Sequence, residues 1–187
     1  SASMNKSRKE IHPHATSSIE SIDKETWQKM SQIIPELING YDQLKAIRPA
    51  VSIFGSARTQ PDHADYKLAE TIGEQLSNAG FTVITGGGPG VMEAGNRGAS
   101  RGKSASVGLN ISLPHEQHHN DSQDISINFD YFFTRKATFV RHSMAYVVMP
   151  GGFGTIDELF DVLTLMQTDK KKPMPIFLAN SAYWSGL

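Results

Sequence analysis

Cysteine is absent from this chain of 187 residues. The protein therefore has no disulfide bond, no cysteine nucleophile and no thiolate ligand for a metal ion. An excess of charge of one sign is also lacking, because 18 lysine and arginine residues are balanced by 19 aspartate and glutamate residues. This balance argues against a broad nucleic-acid-binding or membrane-binding surface, since such surfaces carry excess positive charge.

Long apolar runs are missing as well. No run approaches the roughly 20 residues of a membrane-spanning helix, and no signal peptide is visible. We therefore expect a cytoplasmic protein that binds neither membranes nor nucleic acids. Hydrophobic residues make up 39% of the chain, which is enough for the core of one ordinary domain.

Composition divides the chain into three parts. Residues 1–22, which are polar and begin with what resembles an expression scar, predict a flexible arm. Residues 23–48 predict an amphipathic helix, because apolar side chains recur at intervals of three and four, with Pro35 as a point of disturbance. Residues 49–187 predict the main domain.

Beyond Pro49, short runs rich in valine and isoleucine alternate with helical patterns. This alternation predicts an α/β fold, a Rossmann-like parallel sheet with helices on both faces, plus the N-terminal helix. Runs without a polar break, such as residues 145–149, are typical of strands that are buried on both sides. The predicted strands are residues 50–54, 81–85, 105–111, 125–129, 145–149 and 174–178, and the predicted helices are residues 64–79, 91–101, 135–143 and 155–167.

Glycine is concentrated where the predicted strands end. Seven of the 16 glycines fall within residues 86–90 and 151–154, and Gly55 follows the first strand. In an open parallel sheet, ligands bind beyond the carboxyl ends of the strands, where glycine lets backbone amides approach an oxyanion and the next helix contributes its positive end. Such turns also serve as simple strand-to-helix connections, but three of them at one edge favour an anion site.

The glycine groups match neither of the common nucleotide-binding loops. No Lys-Ser/Thr pair follows at the spacing of a Walker loop, and Gly55-Ser56-Ala57 is too short for the dinucleotide fingerprint after the first strand. ATP hydrolysis and cofactor-driven hydride transfer are therefore disfavoured. We expect a monophosphate that is held by backbone amides.

The charged residues near these turns each allow two interpretations. Thr155 and Glu158 have the spacing of a capping box, in which both side chains only stabilise the start of a helix. Alternatively, Glu158 lies at the mouth of the phosphate site, where a carboxylate can stabilise an oxocarbenium-like transition state. Arg135 and Lys136 have the pattern of a solvent-exposed helix face. Alternatively, Arg135 binds an anion, because the positive end of the helix dipole disfavours a cation at a helix start. The histidines within residues 115–119 fit a solvated loop better than a metal site.

Three segments together resemble the LOG family of cytokinin-activating phosphoribohydrolases, historically labelled "possible lysine decarboxylase". They are residues 86–94, Phe133-Thr134-Arg135-Lys136, and residues 150–158, which contain the full Pro-Gly-Gly-x-Gly-Thr-x-x-Glu signature. The similarity extends from Pro49 to the end of the chain, and the N-terminal helix resembles the longer bacterial branch. The sequence departs from the family pattern at Phe133-Thr134, where a histidine usually stands.

The resemblance implies hydrolysis of the N-glycosidic bond of a nucleoside 5′-monophosphate, either AMP or a cytokinin ribotide, to a free base and ribose 5-phosphate. It implies a catalytic domain over residues 49–187 whose fold normally continues past Leu187, in a homodimer or higher homo-oligomer, with no cofactor and no metal ion. Lysine decarboxylation is not supported, because no lysine stands out as a Schiff-base candidate. A non-catalytic nucleotide or cofactor carrier of the same fold is the alternative.

The catalytic arginine and glutamate of the family correspond to Arg135 and Glu158. The resemblance implies that Glu158 stabilises positive charge at the anomeric carbon and positions water, while Arg135 contacts the substrate and keeps Glu158 ionised. The residues expected to bind the nucleotide, and its phosphate above all, are Gly55, Ser56, Gly86, Gly87, Gly88, Gly90, Met92, Glu93, Lys136, Gly151, Gly152, Gly154 and Thr155.

Overall fold

The computed structural model describes residues 22–47, 49–115 and 118–186, so the predicted flexible arm lies almost wholly outside it. Helices and strands alternate along the described chain as predicted, and one further short helix follows the last strand. None of the described helices is both long and apolar enough to cross a membrane. The elements are α1 (Lys24–Leu44), β1 (Ala50–Phe54), α2 (Ala64–Asn78), β2 (Thr82–Thr85), α3 (Val91–Ser100), β3 (Ser106–Ile111), β4 (Ile125–Phe129), α4 (Phe132–His142), β5 (Ser143–Val148), α5 (Phe153–Gln167), β6 (Ile176–Leu178) and α6 (Ser181–Trp184).

All strand pairs of the sheet are parallel, and the strand order is β4-β3-β2-β1-β5-β6. β1 therefore lies between β2 and β5. From β1 the chain first builds the sheet toward one edge, and it later returns to build the other edge from β5. An open α/β sheet forms a crevice where its strand order reverses in this way, beyond the carboxyl ends of the strands. The predicted α/β, Rossmann-like class is confirmed.

Helices cover both faces of the sheet, because the side chains of successive strand residues point to opposite faces. On one face, α1, α4 and α5 contribute Leu44, Phe139 and Leu159 to the core. On the other face, α2 and α3 contribute Tyr66 and Val91. Every residue of β1, β2 and β3 is buried, as expected for parallel strands with a helix layer on each side.

The N-terminal helix α1 runs unbroken through Pro35. Its last turns pack on the domain, since Gly40 lies directly against Thr138 of α4 and Leu44 is in the core. Its earlier turns differ, because their apolar side chains are not covered by the described chain. The side chains that stay between 40% and 53% exposed are Trp27, Met30, Ile34 and Ile38.

Helices α2 and α3 approach each other closely because glycines lie between them. A Cβ atom on Gly73 would lie 2.3 Å from the carbonyl oxygen of Gly95, and one on Gly98 would lie 1.9 Å from that of Glu70. No side chain fits at such distances unless one backbone moves. The contact holds α3 against α2 and so fixes where α3 starts, beside the carboxyl ends of the strands.

Gly98→Ala is expected to lower the free energy of unfolding by about 1–3 kcal/mol, although alanine favours a helix, because its methyl group would press on the Glu70 carbonyl. Urea denaturation followed by circular dichroism would measure the change. Ser100→Ala, at an exposed position of the same helix, is the matched control and should change the free energy by less than about 0.5 kcal/mol. Equal stability of Gly98→Ala and the unmodified protein would contradict the close contact.

Candidate active site

A cavity of about 680 Å³ opens beyond the carboxyl ends of β1, β2 and β5, where the strand order reverses. Its volume falls in the range of small-molecule sites, about 300–1,000 Å³. Backbone from the strand-end turns, five charged side chains and several apolar ones line it. The predicted site residues among them are Gly55, Ser56, Gly86, Met92, Arg135, Lys136, Gly152, Gly154, Thr155 and Glu158.

Backbone hydrogen bonds fasten the turns around the cavity to one another. The amide of Ser56 donates to the carbonyl of Pro150 (3.1 Å), and the carbonyl of Ser56 accepts from the amide of Val91 (2.9 Å). The turn after β1 thereby joins the start of α3 to the turn that leads into α5. Gly90 permits the approach, because its φ is +69° and a Cβ atom there would lie 2.3 Å from the Ser56 carbonyl oxygen.

The first turn of α5 presents backbone amides to the cavity. The helix begins at Phe153, two residues before the predicted start, and its cap residue Gly152 has no side chain that could bond to them. Thr155 and Glu158 therefore lie inside the helix and do not form a capping box. Within the described part of the chain, the amides of Phe153, Gly154 and Thr155 have no acceptor. Because a Cβ atom on Gly152 or Gly154 would meet nothing within 4 Å, an anion can approach this helix end.

Arg135 reaches the cavity from α4 with its guanidinium group fixed by backbone carbonyls. Its Nε donates to the carbonyl of Leu109 (2.7 Å) and one Nη donates to that of Gly86 (3.1 Å), so the side chain connects β3 with the turn that follows β2. Burial lowers the pKa of Arg135, and the nearby Glu158 opposes that change. Three of its five N–H donors have no acceptor among the described residues and are available to a ligand.

Helix α4 is itself held in place by a carboxylate from the N-terminal helix. Glu36 accepts hydrogen bonds from the amides of Asp130 and Tyr131, both at 3.0 Å, and from the hydroxyl of Thr134. The helix starts at Phe132, three residues earlier than predicted. Glu36 was not among the predicted site residues, because a partner almost a hundred residues away leaves no local signal.

Glu158 lies in the cavity with no hydrogen-bond or ion-pair partner in the part of the chain that is described. Burial raises the pKa of its carboxyl group; Lys136 and Arg135 lower it, Asp161 and Asp157 raise it, and the net change is upward. A half-buried carboxylate without a partner destabilises the fold that carries it. Groups of this kind are concentrated in catalytic sites, where a ligand supplies the missing interaction.

Lys136 is bonded to two carboxylates of the neighbouring helix. Its ammonium group lies 3.1 Å from Asp157 and closer still to Asp161. Burial alone would lower the pKa of Lys136, but the hydrogen bonds to Asp161 and Asp157 outweigh burial and raise it. The charge of this predicted nucleotide-binding residue is therefore balanced by two carboxylates of α5. The same charge lowers the pKa of Glu158.

The remaining predicted site residues do not line the cavity; they build the walls behind it. The carbonyls of Gly87 and Gly88 accept hydrogen bonds from the backbone and side-chain amides of Asn120, both at 2.9 Å. The carbonyl of Gly151 accepts one from the hydroxyl of Tyr183 (2.8 Å). The residues outside the lining are Gly87, Gly88, Gly90, Glu93 and Gly151.

Glu93 serves the contact between helices α2 and α3. Its carboxylate accepts a hydrogen bond from the hydroxyl of Tyr66 at 2.6 Å. Burial and this bond raise the pKa of Tyr66 to about 12. The two side chains thus form a stable pair at the base of α3, next to Met92, which does line the cavity.

Several cavity residues were missed by the sequence analysis. Arg58 follows the turn after β1, and the rings of Phe132 and Phe153 are 63% and 94% exposed at the cavity mouth. Arg58 carried one signal, its place directly after Gly55-Ser56-Ala57. The two phenylalanines carried none beyond their position at helix starts.

The described histidines of the loop at residues 115–119 are not grouped with enough other metal-ligating side chains to hold a metal ion. His115, His118 and His119 are exposed. Among the residues described, no group of three or more histidine, aspartate or glutamate side chains is arranged to hold a metal ion.

A family model described as "Possible lysine decarboxylase" matches residues 92–187, just over half of the chain, including both Arg135 and Glu158. The chain belongs to this family. The resemblance to the LOG family is thereby confirmed, since curated relatives within it bear the name cytokinin riboside 5′-monophosphate phosphoribohydrolase.

Two relatives and one solved structure show what this member of the family is similar to. The phosphoribohydrolase of that name from Mycobacterium tuberculosis is 32% identical over 109 residues, which are 56% of this chain and 57% of the relative. A pyrimidine/purine nucleotide 5′-monophosphate nucleosidase from Escherichia coli K12 is 29% identical over 124 residues, which are 61% of this chain and 27% of the relative. The chain thus spans about half the length of one relative and about a quarter of the other. The molybdenum cofactor binding protein from Rippkaea orientalis superimposes with a TM-score of 0.53 at 25% identity, covering 75% of this chain and 82% of that one.

Gly154→Ala is expected to weaken the binding of inorganic phosphate about tenfold without lowering the melting temperature. The added methyl group would contact no protein atom within 4 Å but would occupy the space in front of the α5 amides. Isothermal titration calorimetry and thermal unfolding measure the two effects. Gly186→Ala, which also adds a methyl group in open space but outside the cavity, is the matched control. An unchanged phosphate affinity in Gly154→Ala would contradict an anion site at this helix end.

Proposed function

We propose that the protein hydrolyses the N-glycosidic bond of a nucleoside 5′-monophosphate and releases the free base and ribose 5-phosphate. The observation that carries this proposal is the unpaired carboxylate of Glu158, which shares one cavity with Arg135 and with the first turn of α5. An anion site beside a carboxylate suits a substrate with a phosphate at one end and developing positive charge at the other. The names of the two curated relatives support the same class of reaction.

In the proposed mechanism, the first-turn amides of α5 hold the 5′-phosphate, and this remote binding energy orients the ribose. As the bond between C1′ and the base nitrogen lengthens, its electron pair moves to the base and C1′ becomes positively charged. Glu158 stabilises that charge and directs a water molecule to C1′. The sugar keeps the oxygen and one hydrogen of this water as its new hydroxyl group, and the other proton of the water balances the one that the leaving base takes up.

Arg135 contributes positive charge that is already in position. Its guanidinium group is held by the carbonyls of Leu109 and Gly86, so it needs no rearrangement when the substrate binds. Together with Lys136 it opposes the effect of burial on the pKa of Glu158 and thereby favours the ionised carboxylate. The remaining N–H groups of Arg135 are free to contact the ribose or its phosphate.

The base has an aromatic surface available at the cavity mouth. Phe132 and Phe153 line the cavity with largely exposed rings, and aromatic rings of this kind stack on nucleobases. We expect a purine substrate, either AMP or its N6-prenylated derivative. Incubation with each, followed by chromatography of the released base, tests the activity and ranks the two.

A second candidate is a non-catalytic carrier of a nucleotide-like cofactor. The observation that favours it is the structural similarity to the molybdenum cofactor binding protein. The same incubation separates the two functions, because a carrier would bind its ligand without releasing a base. The unpaired Glu158 favours the hydrolase, since a carrier gains nothing from a carboxylate that destabilises its fold.

The family resemblance also leads us to propose a cytoplasmic homodimer or higher homo-oligomer. Light scattering coupled to size-exclusion chromatography of the full chain tests the oligomeric state.

Glu158→Gln is expected to reduce base release about a thousandfold, because the amide cannot stabilise positive charge at C1′. The melting temperature at neutral pH should stay the same or rise. Burial raises the pKa of Glu158, so its charged form is the less stable one in the fold, and glutamine removes that charge. Full turnover in the variant would refute the assigned role, and a large drop in melting temperature would point to a structural one.

Lys136→Met is expected to move the acid limb of the pH profile of kcat/KM toward higher pH. Lys136 lowers the pKa of Glu158, so removing its charge raises that pKa, and the carboxylate becomes protonated at a higher pH. Lys136→Arg keeps the charge and is the matched control. Its acid limb should lie at nearly the same pH as that of the unmodified enzyme. The phosphate of the substrate titrates identically in all three profiles and cancels from the comparison. A limb that does not move in Lys136→Met would show that another group sets it.

A further inference from the structure

The charged groups that line the cavity differ in whether they already have a bonded partner. Three cations face it, Arg58, Arg135 and Lys136, together with the carboxylates of Asp157 and Glu158. A nucleoside monophosphate brings between one and two further negative charges at neutral pH, because the second pKa of a phosphate is about 6. A cation whose charge is not already balanced by a carboxylate can bind this phosphate in addition to the amides of α5.

Lys136 does not meet this requirement. Its ammonium group is bonded to Asp157 and Asp161, and an approaching phosphate would have to displace or face both carboxylates. Like charges at that distance repel, so the same pair that holds Lys136 also repels an anion.

Arg135 is bonded to backbone carbonyls and lies near Glu158. Two of its donors are bonded to the carbonyls of Leu109 in β3 and of Gly86 just after β2, and its charge acts on Glu158. The charge of this buried guanidinium group is therefore partly engaged by Glu158 before a substrate binds.

Arg58 differs from both. Its backbone is fixed, because its amide donates to the hydroxyl of Ser56 (3.1 Å) and its carbonyl accepts from Gln60 (3.2 Å). Arg58 lines the cavity, and within the described chain its guanidinium group has no hydrogen-bond acceptor and no carboxylate partner. It is an exposed cation on a well-anchored backbone.

The anchor of Arg58 lies next to the proposed phosphate position. Ser56, two residues earlier, is bonded to Pro150, which precedes the glycine turn into α5. The same residue is bonded to Val91 at the start of α3. The stem of Arg58 therefore rises from the turn that lies between two helix starts, where the helix dipoles also favour an anion.

We propose that Arg58 is the residue that binds the phosphate of the substrate as its counter-charge, while Lys136 sets the charge of Glu158. This assignment rests on the proposed function, since it names the group that recognises the phosphorylated end of that substrate. A guanidinium group can form two parallel hydrogen bonds to a phosphate, which gives the site its preference for nucleotides over nucleosides.

Arg58→Ala tests the assignment in two separate measurements on the full chain. The first is the affinity for ribose 5-phosphate by isothermal titration calorimetry, which does not depend on turnover. The second is the hydrolysis of AMP. We expect the dissociation constant of ribose 5-phosphate and the KM for AMP to rise about tenfold to a hundredfold, with a smaller change in kcat. Higher salt should reduce the difference from the unmodified enzyme.

Two further variants serve as controls. Arg58→Lys keeps the charge and should recover part of the lost affinity. Arg101→Gln removes an arginine that pairs with Glu70 outside the cavity, and its affinity for ribose 5-phosphate should equal that of the unmodified protein. An equal loss in Arg101→Gln would overturn the proposal, because a general effect of net charge would then explain both results.

The two measurements also separate this proposal from the proposed function. Ribose 5-phosphate binding that is absent from the unmodified protein, or unchanged in Arg58→Ala, overturns the role of Arg58 even if AMP is hydrolysed. If the unmodified protein releases no base but Arg58→Ala loses affinity for ribose 5-phosphate, the proposed hydrolysis fails and the phosphate contact stands.

Discussion

The position of β1 is the constraint on which the site depends. Because β2 and β5 both pair with β1, the turns after these three strands emerge side by side and the helices that follow diverge. The backbone bonds of Ser56 to Pro150 and Val91 then hold the turns in register. The cavity is the space that this divergence leaves, so its location follows from strand order before any side chain is considered.

The chemistry of the site depends on how its charges are held. Arg135 is buried but bonded to carbonyls, Lys136 is bonded to two carboxylates, and Glu158 has neither kind of partner. Of these three groups, Glu158 is the one whose charge burial disfavours without a bonded partner. In the proposed function, the substrate supplies the interactions that Glu158 and the open end of α5 lack.

The sequence predicted the layers of this fold well and its helix starts less well. β1 and β4 begin and end at the predicted residues, because apolar runs bounded by glycine or polar residues are local signals. The capping-box spacing of Thr155 and Glu158 predicts a helix start at Thr155. The structure uses Gly152 at that point instead, and a glycine without a capping side chain leaves no such pattern. The site residues carried by motifs, Arg135 and Glu158, do lie in one cavity. The contact of Glu36 with the start of α4 joins segments almost a hundred residues apart and leaves no local signal.

The contact between Glu36 and the start of α4 makes α1 part of the structural unit that carries the cavity. Composition places a boundary near Pro49 and leaves α1 as an appended helix. The carboxylate of Glu36, however, satisfies two amides and a hydroxyl at the start of the helix that carries Arg135. A chain trimmed at Pro49 would keep every residue of the family signature and lose the carboxylate that binds the start of the helix carrying Arg135. The smallest piece that preserves the site therefore includes the N-terminal helix.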